Sequence, residues 1–334
     1  MVKRSNDMKN NFIRIIGCAV LVAFGGFSAK AEITALKLGV LKYGTVNWEL
    51  NVLKHHKLDA KHGLDVEVIG FAGKQASSVA LQGGAVDSIV TDWLWTSRQR
   101  TAGKAFTFIP YSVSVGALMV DKDSPINAIE DLKGRKIGIA GGPLDKSWLL
   151  VRAWARKKHG FDLNEAVEKV FGAPPLLSNQ LEQGHVDAVL TFWHFAAKLE
   201  AKGMRVVVDI GEISRDLGIG VPVPQIGYVF NEEWVKTHPG ALKKFNDAIR
   251  EAKAILGQSD EEWERIRPLT KAKDEATFAA LKKGYRAGIP KSWSNVERRA
   301  AGKLFAILAE IGGKKLVGPS DNIAEGTFAE SVSY

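Results

Sequence analysis

Three groups of side chains in this 334-residue chain have the types and spacing needed to hold a small molecule. The first is Gly141-Gly142-Pro143, between an apolar run and a helical pattern from about Asp145 to His159. Glycine permits close backbone approach, and proline suits the first helical turn. Free amides and the positive end of the helix dipole then offer a seat for a sulfonate, carboxylate or phosphate, continuing through Ser147 and Trp148. The same segment also reads as a simple tight turn, with Asp145 as the helix cap and Lys146 solvated. The second group is aromatic. Of nine tryptophans, Trp48, Trp93, Trp95, Trp148 and Trp193 fall near predicted strand ends, beside Tyr43-Gly44, Phe192, His194 and Phe195. Any one of these rings is explained by a core, but several at equivalent places suit stacking on a planar or alkyl solute at ~0.5–1.5 kcal/mol per pair. The third group is polar. Asp92 can accept from an amine or ring N–H, or cap the next helix, and His194 can donate to a solute or be satisfied within the fold.

Catalytic patterns are missing. No P-loop, HExxH or GxSxG occurs, and the single cysteine, Cys18, lies in the leader. His55-His56 and His62 do not form a metal pattern, because adjacent histidines on a helix diverge. No catalytic residue, cofactor or metal is expected.

What positions these residues is a duplication. Residues 81–95 (LQGGAVDSIVTDWLW) align without gaps to residues 181–195 (LEQGHVDAVLTFWHF), matching at six positions: Leu81/Leu181, Gly84/Gly184, Val86/Val186, Asp87/Asp187, Thr91/Thr191 and Trp93/Trp193. Each copy reads as a helix end, a turn organised by aspartate, a buried strand and an aromatic cluster. An echo at 100 residues predicts two similar α/β lobes. Ligands of open α/β sheets collect at the carboxyl ends of strands, where both clusters fall.

Residues 1–31 read as a signal peptide: Lys3, Arg4, Lys9 and Arg14 precede an apolar run to Phe27, with Ala29-Lys30-Ala31 as the cleavage site. The leader carries +4 of the formal +9, leaving +5 scattered over the mature chain. No basic stripe with interleaved aromatics predicts nucleic-acid binding. Strands are expected at 36–41, 65–71, 87–91, 106–109, 136–140, 168–171, 187–191, 205–210 and 226–230, mostly alternating with helices, as in parallel sheets. Turn-rich boundaries at 121–125 and 218–224 mark two crossings between lobes. From Pro239 the chain is helical, with Leu242, Phe245, Ile249 and Leu256 on one face, and with capping boxes at Ser259/Glu262 and Ser294/Glu297.

The signal peptide, the DLKGRKIGIAGG stretch (Asp131–Gly142) and the G-x-V-D-A-x-L motif (Gly184–Leu190) resemble ABC-transporter substrate-binding proteins of the nitrate/sulfonate/taurine group, which includes receptors for thiamine-pyrimidine precursors. The resemblance runs from about Leu36 to Leu308. It implies an α/β, two-lobe periplasmic-binding-protein fold (type II-like) with mostly parallel sheets, two hinge crossings and a helical C-terminal tail. The first lobe is expected over 36–117 and 225–334, and the second over 118–224. It further implies a monomeric periplasmic receptor, not an enzyme, that passes a small solute to an ABC permease in the inner membrane. Sulfonates are the first expectation for the solute and heterocyclic vitamin precursors the second. The alternatives are an enzyme on the same fold, of pyrimidine-synthase or menaquinone-pathway type, and a receptor for a membrane sensor.

Overall fold

The computed structural model describes residues 33–334; the expected signal peptide lies outside the described residues. Ten strands form two five-stranded sheets. In chain order they are β1 (Thr34–Leu41), β2 (Leu64–Phe71), β3 (Ser88–Asp92), β4 (Phe106–Ser112), β5 (Gly116–Val120), β6 (Lys136–Ala140), β7 (Glu168–Gly172), β8 (Ala188–Phe192), β9 (Arg205–Asp209) and β10 (Ile226–Asn231). The first sheet runs β2-β1-β3-β10-β4 and the second β7-β6-β8-β5-β9. These are the same topology: three parallel strands, one antiparallel strand, then an edge strand. This is the two-lobe periplasmic-binding-protein fold.

The repeated segment explains why both sheets form alike. Its helices, Lys74–Gln82 and Pro174–Glu182, end on Gly84 and Gly184 at φ 73° and 70°. The following amides return to the last helical turn, Ala85 N–H to the Ala80 carbonyl at 2.9 Å and His185 N–H to Gln180 at 2.8 Å. Only glycine takes that left-handed position without strain. Each aspartate then pins the start of a neighbouring strand. Asp87 Oδ2 accepts from the Lys37 amide and Asp187 Oδ2 from the Lys136 amide, both at 2.8 Å. The reciprocal backbone bonds, Asp87 N–H to Lys37 and Asp187 N–H to Lys136, close both pairs. Leu81, Leu181, Val86 and Val186 are buried beneath them.

One strand, β5, was not expected, and the antiparallel direction of β10 was not read from its local pattern. The apolar run 113–120 contains β5, which pairs antiparallel with β8 and β9 of the second sheet. β10 likewise inserts antiparallel between β3 and β4 after the return crossing. Alternation reports which face is buried, and it is silent on strand direction. The connection at 113–115 is held by the helix Glu275–Ala287: Val113 N–H donates to Gly288 at 2.9 Å, and Ser114 Oγ to Gly284 at 3.2 Å.

The C-terminal helices Ala241–Gln258, Asp260–Thr270, Glu275–Ala287 and Asn295–Val317 pack on both halves. Leu242, Phe245, Ile249 and Leu256 are buried as one face of the first, which lies on the helix Val46–His55. Ser294 and Glu297 form the expected reciprocal capping box. At Ser259 only half of it forms, because the Glu262 carboxylate turns to Arg265 at 2.6 Å. Residues 318–334 are not helical; Phe328 pairs with Phe108 at the edge of the first sheet. Among the described residues no helix is long and apolar enough to cross a membrane.

Candidate functional site

The carboxyl ends of β1, β3, β6 and β8 carry the candidate residues, and two contacts join side chains across the two sheets. The first is ionic. Asp92, the last residue of β3, takes the Lys146 ammonium on Oδ2 at 3.1 Å, and Lys146 opens the helix Lys146–His159 that follows β6. The other Asp92 oxygen caps the helix Trp93–Thr101 by accepting from the Trp95 amide at 2.8 Å. The cap reading of Asp92 is realised, and its other oxygen is taken by an amine of the chain itself, Lys146. The second contact is aromatic. Trp193, the residue after β8, meets the Trp48 ring at 6.1 Å and 90°. Its ring lies against Gly284, where an added Cβ would come within 2.9 Å, so this close approach needs glycine.

Charge is concentrated around the ion pair. Burial alone would lower the Lys146 pKa, but Asp92 and Asp145 outweigh it and hold the ammonium above the ordinary lysine value. Burial likewise opposes ionisation of Asp92, yet Lys146, the Trp95 amide and Lys74 keep its carboxyl below the usual range. For Asp145 burial wins, and its carboxyl sits above that range despite Lys146 and two amide donors. Lys74 keeps solvent-exposed surface, yet burial by the surrounding protein and repulsion from Lys146 lower its pKa.

Several expected contacts are placed elsewhere. The anion seat read at Gly141-Gly142 is filled by the chain itself: Asp145 Oδ1 accepts from the Ser147 and Trp148 amides at 3.0 and 3.3 Å. Gly141 and Gly142 have φ of 96° and 123°, so the turn does require glycine there. Trp93 and Trp148 are each 1% exposed and belong to the core, not to a solute-facing surface. Trp93 packs on Phe328 of the C-terminal tail at 6.0 Å. Trp95 is half-buried and stacks on Phe106 at 5.5 Å. Trp48 is only 5% exposed, and its indole N–H donates to Leu269. Tyr43 stands 78% exposed beside Gly44, with the Lys271 ammonium 4.6 Å above its ring.

The family described as NMT1/THI5 like matches residues 60–262. The chain belongs to the NMT1/THI5-like family. Solved structures sharing its fold include the periplasmic aliphatic sulphonate binding protein SsuA from Escherichia coli, at 18% identity and TM-score 0.69, covering 88% of this chain and 97% of that one. Another is the alkanesulfonate-binding protein SsuA from Xanthomonas axonopodis pv. citri bound to MOPS, at 15% identity and TM-score 0.65, covering 89% and 99%. A third, from Methylobacillus flagellatus KT, is described as a putative sulfonate-binding SsuA, at 16% identity and TM-score 0.62, covering 84% and 88%. No curated protein matches the chain.

Sequence reasoning missed Lys74 and the role of Lys146 in this NMT1/THI5-like chain. One signal was present: each is the first residue of a helix, where the dipole disfavours a cation. A broken local rule of that kind points to a compensating partner or a function.

His194 carries a testable consequence. Its Nδ1 is buried without a hydrogen-bond partner among the described residues, and the ring packs between Trp193 and Phe195. Burial, helped by Lys198, pushes its pKa down to about 4 from 6.5. Between those values the unfolded chain binds a proton that the folded chain does not, so stability falls as pH drops through this window. A loss of about 1–3 kcal/mol from pH 7 to pH 4 is expected. Urea unfolding at both pH values should show His194→Gln losing that part of the dependence; an unchanged slope would place the titration elsewhere.

Proposed function

We propose that this protein is an extracytoplasmic receptor that captures a small organic solute between the strand ends of its two sheets and hands it to an ABC importer. The observation carrying this reading is that both cross-sheet contacts, Asp92–Lys146 and Trp48–Trp193, occur at carboxyl strand ends. Ligands of open α/β sheets bind at such ends. An ion pair at one contact and aromatic rings at the other suit a solute with an ionic end and an apolar or planar body. The sulfonate-binding proteins that share the fold support sulfonates as the first class to test, with heterocyclic vitamin precursors second. In this reading the moving lobes are 36–112 with 225–334, and 116–224, since Gly116 and Ala117, expected in the first lobe, already pair in the second sheet. The short connection at 113–115 is one hinge, and the return segment before β10 is the other. The chain acts as a monomer in the periplasm, and an unpartnered His194 Nδ1 offers the solute a further hydrogen-bonding group.

The test is mass spectrometry of small molecules released by denaturing the purified protein, followed by calorimetry with the compound found. Stoichiometric release of an unaltered solute, with affinity restored on adding it back, is the expected result. Conversion of the solute on incubation would favour an enzyme. Release of nothing, with no heat from any sulfonate or heterocycle, would overturn the receptor.

A further inference from the structure

Five titratable groups lie within electrostatic reach of one another near the strand ends: Lys74, Asp92, Arg98, Asp145 and Lys146. Their hydrogen bonds divide them unevenly. Each carboxylate commits one oxygen to its own helix: Asp92 Oδ1 to the Trp95 amide, and Asp145 Oδ1 to the Ser147 and Trp148 amides. The second oxygens are not used by those caps. Asp92 Oδ2 holds Lys146, while Asp145 Oδ2 lies over Gly141, 3.0 Å from where a Cβ would stand, and has no hydrogen bond among the described residues. Lys74 also has no ion-pair partner among the described residues, although it feels both carboxylates and repels Lys146. Two ammonium groups and two carboxylate oxygens therefore converge, with one pair formed and one pair open.

We propose that this charge cluster recognises a dipolar solute by ion-pair exchange. The solute's anionic group takes up the ammonium groups of Lys74 and Lys146, and its cationic group takes up the Oδ2 oxygens of Asp92 and Asp145. The proposal rests on the solute-receptor reading. An anion alone would draw Lys146 away and leave the Asp92 carboxylate, one-fifth exposed, with only an amide. A cation alone would leave two lysines facing each other at the positive ends of their helices. A solute with both charges replaces each broken contact, so it pays neither penalty. Lys146 and Asp92 meet from opposite sheets, so their exchange for a solute also couples binding to the way the sheets face each other.

Calorimetry on the full chain with two matched trios tests this. One trio is aminopropanesulfonate, propanesulfonate and propylamine; the other is aminomethylbenzenesulfonate, toluenesulfonate and benzylamine. In at least one trio the dipolar compound should bind about tenfold or more tightly than either singly charged partner. Asp92→Asn keeps the helix cap, since asparagine caps as well as aspartate. It should bring the dipolar and anionic compounds to within about twofold of each other, a gap of a fraction of a kcal/mol. Lys146→Met should weaken both sulfonates, and thermal midpoints near the wild-type value would confirm that the variants are folded. Equal wild-type affinity for the dipolar and anionic members would overturn the dipolar proposal while leaving the receptor standing, as would a preference that survives Asp92→Asn. If none of the six binds, the solute released from the purified protein decides: one bearing both charges supports the proposal, and one without a cationic group overturns it. Failure of all six, with no solute released, would overturn the receptor reading itself.

Discussion

Lys253→Met is expected to destabilise the protein by about 3–5 kcal/mol, the usual result of removing one partner from a buried ion pair. Glu49 is fully buried on the helix Val46–His55, and its carboxylate holds the Lys253 ammonium, which comes from the helix Ala241–Gln258. Tyr228 and Tyr285 donate their hydroxyls to the same carboxylate, Tyr285 at 2.9 Å. The Lys253 ammonium also lies 4.4 Å from the centre of the Tyr111 ring. Burial and the Glu49 charge push the Tyr228 and Tyr285 pKa values well up, so both remain donors. Taking away the cation leaves a desolvated carboxylate with hydroxyls alone. Urea unfolding of Lys253→Met, Glu49→Gln and the double variant checks this. The double variant should recover part of the loss, because no uncompensated charge stays buried. A loss below about 1 kcal/mol for Lys253→Met, the range of exposed pairs, would show that the pair does not act as a buried ion pair. The network matters to the site because Tyr285 touches both Glu49 and the Trp48 ring, 5.9 Å away.

Trp48→Ala should be comparably severe, at about 3–5 kcal/mol for a large core aromatic. Its ring meets Trp193, Trp263 and Tyr285 at 6.1, 5.7 and 5.9 Å, so its loss opens a cavity directly under the cross-sheet contact. Trp193 is only half-buried, and Trp193→Ala should cost less stability than Trp48→Ala. The double-mutant coupling between them should fall at about 0.5–1.5 kcal/mol, the range of aromatic pairs. If the site lies at this contact, Trp193→Ala weakens solute binding, whereas Trp93→Ala lowers stability and leaves affinity close to wild type. Calorimetry with the released solute separates the cases. Unchanged affinity in both Trp48→Ala and Trp193→Ala would remove the aromatic contact from the site.

The elements were largely readable because their signals are local. A glycine at the helix end, a valine two residues later and an aspartate after it prescribe a turn, a buried side chain and a strand anchor wherever they occur. They did so in both copies. The direction of β5 and β10 was not readable, because an antiparallel strand has the same alternation as a parallel one. At Asp92 the cap reading was right, and the second oxygen meets the chain's own Lys146, since a carboxylate has two oxygens and the helix needs only one.

The chain's own residues determined the duplicated architecture and the placement of polar and aromatic groups at strand ends. Tertiary structure decided which of those groups face one another. Trp93 and Trp193 occupy the same motif position, yet the first is sealed in the core beside Phe328 and the second stays half-buried against Trp48 from the other sheet. Asp92 finds Lys146 across 54 residues, and Glu49 finds Lys253 across 204. Periodicity records only whether a side chain is turned inward. The identity of its partner is set by how two separately folded sheets and one returning tail are brought together.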